Sequence, residues 1–148
     1  MGLLFALGLL QGWQGRLPPG TLDLESAIAH LPADTAIRQS RLAATIDFGN
    51  VHTVQAYVQA CREAELPIRL DAAKRWARVA SADSEAHLLL GKLLLEKALR
   101  QGREDGMMDA ETLLDAEVSL RRATRLEPSN ERAKEALLSV EQILGTSP

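Results

Sequence analysis

Three histidines and one cysteine are the side chains of this sequence best suited to bind a metal or attack a substrate. His30, His52 and His87 fall on three different predicted helices. No two of them therefore lie four residues apart on one helix, the spacing at which two histidines can bind the same metal ion. Cys61 lies on an apolar helix side, where a buried hydrophobe is expected rather than a nucleophile. No glycine-rich phosphate loop, Gly-x-Ser-x-Gly, His-Glu-x-x-His or calcium-loop motif is present. We therefore expect a protein that is not an enzyme and that has no catalytic residues, cofactor or metal.

Charged side chains are dense near the C-terminal end, but both signs are interleaved. The basic residues are Arg121, Arg122, Arg125, Arg132 and Lys134, and the acidic ones are Glu117, Glu127, Glu131 and Glu135. The net charge of the chain is −3. Because a nucleic-acid surface needs an excess of positive charge to neutralise phosphates, we expect no nucleic acid as a partner.

The composition favours helices. Hydrophobic residues make up 46% of the 148 residues and charged ones 25%, which is the balance of a folded chain, and only 3% are aromatic. A core of Leu and Ala with few aromatic or β-branched side chains suits closely packed helices better than sheets.

Residues 1–20 differ from the rest of the chain. Leu3 to Leu10 are apolar or glycine, but this run is shorter than the ~20 residues that span a bilayer. It also lacks the basic residues that precede a secretory signal. Three interpretations stay open: an atypical export signal or anchor, the remnant of a longer membrane segment, or a first helix packed on the domain. Membrane association through residues 1–15 is therefore open, as is the choice between a membrane-associated, periplasmic or cytoplasmic location.

Helical periodicity begins after a Pro/Gly linker. A divergent helical segment over 21–49 contains a helix with Asp34 or Thr35 as N-cap and Gly49 as its end. The next helix follows an Asn50 cap, and its apolar side chains recur every three or four residues. They are Val51, Val54, Tyr57, Val58 and Cys61.

A repeat domain is predicted over 50–148. Pro67 separates its first helix from the second, and the strongest helix has Ser84 as N-cap and Gly102 as its end. Two further helices reach Gly145. Because consecutive helices with short connectors pack antiparallel, the predicted fold class is all-α, built from antiparallel helical hairpins.

The joint "LEPSN" resembles part of a known repeat. Pro128 ends one helix and Ser129 or Asn130 caps the next, which gives the short, rigid connection that stacked hairpins need. The stretch resembles the tetratricopeptide repeat (TPR) family, with Pro128 at the family's late proline. The other matching positions are Ala116, Leu120 and Ala123 in the second helix, and Lys134, Leu137 and Leu138 in the next first helix. The resemblance is clearest over 84–145 and implies a short α-solenoid.

An earlier first helix matches the same family at His87, Leu90, Gly91 and Leu94. A residue without a side chain at Gly91 would let two helices approach closely. Gly91 and Ala116 are 25 positions apart, about twice the family's spacing, and such a long connection resembles the related Sel1-like repeats.

In this family the first helices line a concave groove that binds peptides or partner helices. Carried over by position, the candidate partner-binding residues are His52, Gln55, Gln59 and Arg62 in the early hairpin, Glu85, Leu88, Lys92, Leu95 and Glu96 in the central one, and Arg132, Glu135, Ser139 and Gln142 in the last helix. Leu88 and Leu95 are expected to face solvent as an apolar stripe. The Lys/Asn/Arg clamp by which co-chaperones of this family hold a C-terminal carboxylate is absent.

The resemblance implies a non-catalytic scaffold or adaptor whose partner is another protein. A bacterial membrane or envelope assembly is the setting that residues 1–20 suggest. The alternative is a C-terminal or detached helical tail of a membrane enzyme, such as a polysaccharide polymerase or ligase, with the apolar start as the remnant of its last span. A catalytic domain in its own right is the third alternative. The first two differ over whether residues 1–20 are a true N-terminus.

Overall fold

The structure, a computed structural model, describes residues 27–146 of the chain. Within them lie six α-helices longer than a single turn: α1 (Ala33–Ile46), α2 (Val51–Ala60), α3 (Leu66–Val79), α4 (Ser84–Asp105), α5 (Ala110–Leu126) and α6 (Glu131–Leu144). They belong to two compact units that divide between residues 65 and 66. The all-α prediction is confirmed, whereas the predicted domain division at Asn50 stays a prediction.

The first unit is a helical hairpin in which α1 packs against α2. As predicted, Asn50 caps α2, because its side-chain oxygen accepts the His52 N–H at 2.9 Å. Among the described residues of this unit, half of the buried apolar side chains are alanines. The set is Ile28, Ala36, Ala43, Ala44, Val54, Ala56, Tyr57 and Cys61.

The bounds of α1 differ from the prediction. The helix begins at Ala33, because Pro32 is extended and its carbonyl accepts the Ala36 N–H at 2.9 Å. Asp34 and Thr35, the predicted N-caps, therefore lie inside the first turn, and the predicted start is wrong. The helix also ends at Ile46, so the connector to α2 includes Gly49 rather than beginning at it.

In the second unit each helix packs on the next, and α4 also contacts α6. α4 has 22 residues and α5 has 17, so these two form the longest pair. The core of the second unit combines alanines with larger aliphatic side chains, and the small alanines let the helices approach closely. The core residues are Leu66, Leu70, Ala73, Leu88, Leu93, Leu94, Ala116, Leu120, Ala123, Ala133, Ala136 and Val140.

The start of α4 also differs from the prediction. Asp83 caps this helix by accepting the Glu85 N–H at 2.9 Å, so the predicted Ser84 cap is wrong. The Ser84 hydroxyl instead donates to the Ala123 carbonyl of α5 at 3.1 Å. Pro67 lies in the first turn of α3 rather than before it, where its missing N–H costs no helical hydrogen bond.

The predicted end of α4 at Gly102 is wrong. The helix continues to Asp105, and Gly106, with a φ of 75°, ends it in the left-handed conformation that glycine adopts easily. Gly102 makes room for the connector instead: a Cβ there would lie 2.5 Å from Cγ of Met108. Gly102 therefore lies inside α4, where it permits a close contact with the connector, and does not terminate the helix.

Candidate protein-binding face

Two helix N-termini lie side by side in the second unit. Asn130 caps α6, as predicted, because its side-chain oxygen accepts the Ala133 N–H at 3.2 Å. Its side-chain amide donates to the Ser84 hydroxyl at 3.3 Å and to the Glu85 carboxylate at 3.0 Å. Both acceptors are in the first turn of α4, so α4 and α6 are neighbours that run in the same direction.

We call six of the exposed and half-buried predicted residues of α4 and α6 the inner face: Glu85, Lys92, Leu95, Glu96, Arg132 and Glu135. The other two predicted residues of α6, Ser139 and Gln142, are exposed, and a partner-binding role for them stays a prediction. Arg132 of α6 reaches Glu85 of α4, with 3.4 Å between Nη1 and Oε2. The same carboxylate group accepts from Asn130, so an exposed ion pair and a partly buried hydrogen bond together link the two helices.

Glu96 is held by arginines of two helices. Arg69 of α3 donates to both of its carboxylate oxygens, at 3.1 and 2.9 Å, and Arg100 donates at 2.7 Å. The Arg69 hydrogen bond is the main reason that the pKa of Glu96 lies below its usual value, and it outweighs the raising effect of desolvation. Sequence reasoning missed Arg69, because it is 27 positions from Glu96 and no local pattern connects the two.

Leu88 does not belong to the inner face, although it was predicted to face solvent. Its side chain is 1% exposed and lies in the core of the second unit, while Leu95 is half-buried and packs against that core. The physical reason is that α4 contacts three helices, α3, α5 and α6, so most of its leucines are covered. The predicted apolar stripe is wrong, and the inner face is mainly polar and charged.

The four candidates of the early hairpin lie in the first unit, on α2 or in the turn after it. His52, Gln59 and Arg62 are exposed, and Gln55 is half-buried. A partner-binding role for them stays a prediction.

His87 and Cys61 occupy structural positions, whereas His30 and His52 are exposed. The His87 ring Nε2 lies 3.0 Å from the Ser81 carbonyl, so this side chain braces the turn between α3 and α4. Cys61 is fully buried. Among residues 27–146, no three His, Cys, Asp or Glu side chains come close enough to share a metal ion.

The apolar segment within residues 1–20 lies outside the described residues, and so do the predictions that rest on it. Between residues 27 and 146, none of the helices combines the length and the apolar character needed to cross a bilayer.

Comparison with known proteins identifies the architecture. No protein-family model matches the chain, and no curated protein matches it in sequence. The fold is similar to that of MamA. The solved structure "Crystal structure of MamA" superposes with a TM-score of 0.61 over 84% of this chain and 67% of that one, at 19% sequence identity. At this identity the likeness to MamA shows the fold alone: helices packed as sequential pairs in a TPR-like arrangement.

Proposed function

We propose that the chain is a non-catalytic scaffold whose second unit binds a polar segment of a partner protein on the inner face. The observation that supports this most is the parallel placement of α4 and α6, held at their N-termini by Asn130 and by the Glu85–Arg132 pair. Adjacent parallel helices present two rows of side chains at fixed spacing, which suits an extended peptide or a helix laid along them. The TPR-like fold is consistent with this use, since such repeats serve as binding scaffolds.

Charge and burial on the inner face support a proposal for the chemistry of the partner. Glu96 already forms ion pairs with Arg69 and Arg100, and Glu85 forms one with Arg132. Lys92, midway along α4, is exposed, and among residues 27–146 it forms no ion pair. With Leu88 in the core, polar contacts dominate recognition, and we propose a partner segment that places a carboxylate near Lys92.

Site-specific photo-crosslinking tests the location. A photoreactive amino acid at Glu135, an exposed inner-face residue, leaves Lys92 in place and is expected to capture a protein in cells of the source organism. The same amino acid at Lys74, an exposed residue of α3, serves as the control. Partner adducts that form at Glu135 and not at Lys74 support the inner face. Adducts at both positions, or at neither, would contradict it.

Binding of the captured protein then tests the chemistry. Lys92→Glu should reduce affinity about tenfold or more, because a favourable charge pair becomes a repulsive one. The melting temperature should stay unchanged, since Lys92 is exposed. Undiminished binding by this variant would remove the proposed role of Lys92.

The prediction that the scaffold works in a bacterial membrane or envelope assembly rests on residues 1–20. We propose it as the setting to test by fractionating cells that express the full chain, with and without those residues. Recovery in the membrane fraction only when they are present would support it. Recovery in the soluble fraction in both cases would contradict it.

A further inference from the structure

Apolar side chains are exposed on the side of α5 that faces away from the core. Leu114 is 50% exposed and Val118 is 67% exposed. Each lies two residues from a core position, Ala116 or Leu120, which is about 200° around a helix. Arg125, seven residues after Val118, continues the same stripe at the C-terminal end of α5.

A complementary stripe lies on the outer side of α6. Leu138, 48% exposed, is two residues from both Ala136 and Val140 of the core. Glu131 precedes it by seven residues, and exposed Gln142 follows it by four. Along α5 the stripe runs apolar, apolar, basic, with spacings of four and then seven residues. Along α6 it runs acidic, apolar, polar, with spacings of seven and then four residues.

The hairpin places these residues at matching heights. α5 ends at Leu126 and α6 starts at Glu131, so Arg125 and Glu131 are both near the turn that joins the helices. Val118 and Leu138 each lie seven residues further from that turn. Leu114 and Gln142 each lie another four residues away.

We propose that this outer face binds a second copy of the chain around a two-fold axis parallel to α5 and α6. Such an axis sets α5 of one copy antiparallel against α6 of the other and keeps every residue at its own height. Arg125 then meets Glu131 of the second copy, Val118 meets Leu138, and Leu114 meets Gln142. Each contact occurs twice, because the interface is isologous.

Charge supports a second copy as the occupant. Among residues 27–146, no carboxylate forms an ion pair with Arg125, and Glu131 pairs only with Lys134 beside it on the exposed surface. Within the described part of the chain, Arg125 of α5 is therefore an exposed cation without an ion pair, and the only ion pair of Glu131 at the same height on α6 is solvent-exposed and contributes little. A two-fold rotation brings these opposite charges together, so the face is complementary to itself at this point.

The area of the outer face sets the expected affinity of self-association. A two-helix surface of 14-residue length measures about 20 Å by 20 Å, or on the order of 400 Å² per copy. Stable interfaces bury about 800 Å² per partner, so this dimer is weak and reversible. We expect it at micromolar concentrations or above, and we expect salt to weaken it because charges contribute.

Sedimentation of the full chain at rising concentration measures the association, and charge reversal tests the geometry. In a dimer of the Arg125→Glu variant, both contacts between positions 125 and 131 bring two carboxylates together. In a dimer of the Glu131→Arg variant, both contacts bring two cations together. Each variant should weaken self-association about tenfold. Mixing the two variants should restore it, because both contacts in a mixed dimer are again between opposite charges.

Arg78→Glu is the matched control, since Arg78 is also an exposed arginine in the last turn of its helix, α3. It should leave association unchanged, and circular dichroism should show all three variants folded. A chain that stays monomeric up to about 1 mM overturns the proposal. Association that neither reversal weakens overturns it too, and points to another surface such as the apolar residues 1–20. Weakening that mixing does not restore overturns it as well, because the effect then lies within one chain.

Discussion

A Cβ atom added at Gly91 of α4 would lie 2.5 Å from Cγ of Leu120 in α5. It would also lie 2.7 Å from Cδ2 of the same side chain and 3.3 Å from the Ala116 carbonyl oxygen. Leu120 is fully buried and cannot turn away into solvent. The crossing of α4 and α5 therefore has room for a glycine and for no larger residue.

Gly91→Ala should destabilise the second unit. Overpacking a core contact costs about 1–3 kcal/mol. The gain from replacing a helical glycine is at most about 1 kcal/mol, so the net effect is a loss. Chemical unfolding monitored by circular dichroism measures it, and the larger Gly91→Leu should lose more.

Two comparisons identify the cause. Gly49→Ala, where a new Cβ meets no atom within 4 Å, should leave stability nearly unchanged. Combining Gly91→Ala with Leu120→Ala should cost less than the sum of the two single changes, because the second removes the clash made by the first. Additive losses would show that Gly91 is not limited by Leu120.

The α4–α5 crossing could be predicted from the sequence because it depends on residue size at fixed spacing. Gly91, Ala116, Leu120 and Ala123 match the positions of a repeat, and all four are buried. Helix existence was predictable for a similar reason, since apolar periodicity and the caps at Asn50 and Asn130 act locally.

The burial of individual side chains on α4 could not be predicted, because it depends on how many other helices contact that helix. The leucines of α4 lie on several sides, so periodicity could not tell that three helices would cover them and leave Leu88 in the core. The Arg69–Glu96 contact joins different helices and has no local signal. The observed cap lies one residue before the predicted one at Asp83, and two or three residues before it at Pro32.

Asn130 should matter for more than its cap. Asn130→Ala removes the cap of α6, worth about 0.5–2 kcal/mol, and also the donors to Ser84 and Glu85. Asn130→Asp keeps an oxygen for the cap but replaces the amide donor with a negative charge close to Glu85 and Glu127. Both variants should melt below the unchanged protein at neutral pH.

A second change, Glu85→Gln, separates the two Asn130 variants. In that background the loss in Asn130→Asp should shrink, because the repulsion with Glu85 is removed. The loss in Asn130→Ala should largely persist, since the cap of α6 is still missing. Losses that are the same in both backgrounds would argue against the contact with Glu85.

Glu96 should contribute stability that depends on pH. Its pKa in the folded chain is lowered from the ordinary value of 4.5, mainly by the Arg69 hydrogen bond. A lowered folded-state pKa gives stability that is present above pH 4.5 and is lost as pH falls through the lowered value. Unfolding of wild type and Glu96→Gln at pH 7 and in acid should show a gap of at most about 1 kcal/mol that closes in acid.

Glu135→Gln is the control for this measurement, because Glu135 is an exposed carboxylate that forms no ion pair among residues 27–146. Its stability relative to wild type should change little over the same pH range. A gap for Glu96→Gln that stays constant with pH would show that the loss arises from packing rather than from the charge.

Leu88 should behave as a core residue. Leu88→Ala removes a side chain that is 1% exposed, and truncating a buried leucine costs about 2–5 kcal/mol through lost burial and the cavity left behind. Leu138→Ala removes the same atoms from an exposed position of α6 and should cost far less. Unfolding of both variants gives the comparison. If Leu88→Ala were as mild as Leu138→Ala, Leu88 would be open to solvent, and the apolar groove expected along α4 would have to be reconsidered.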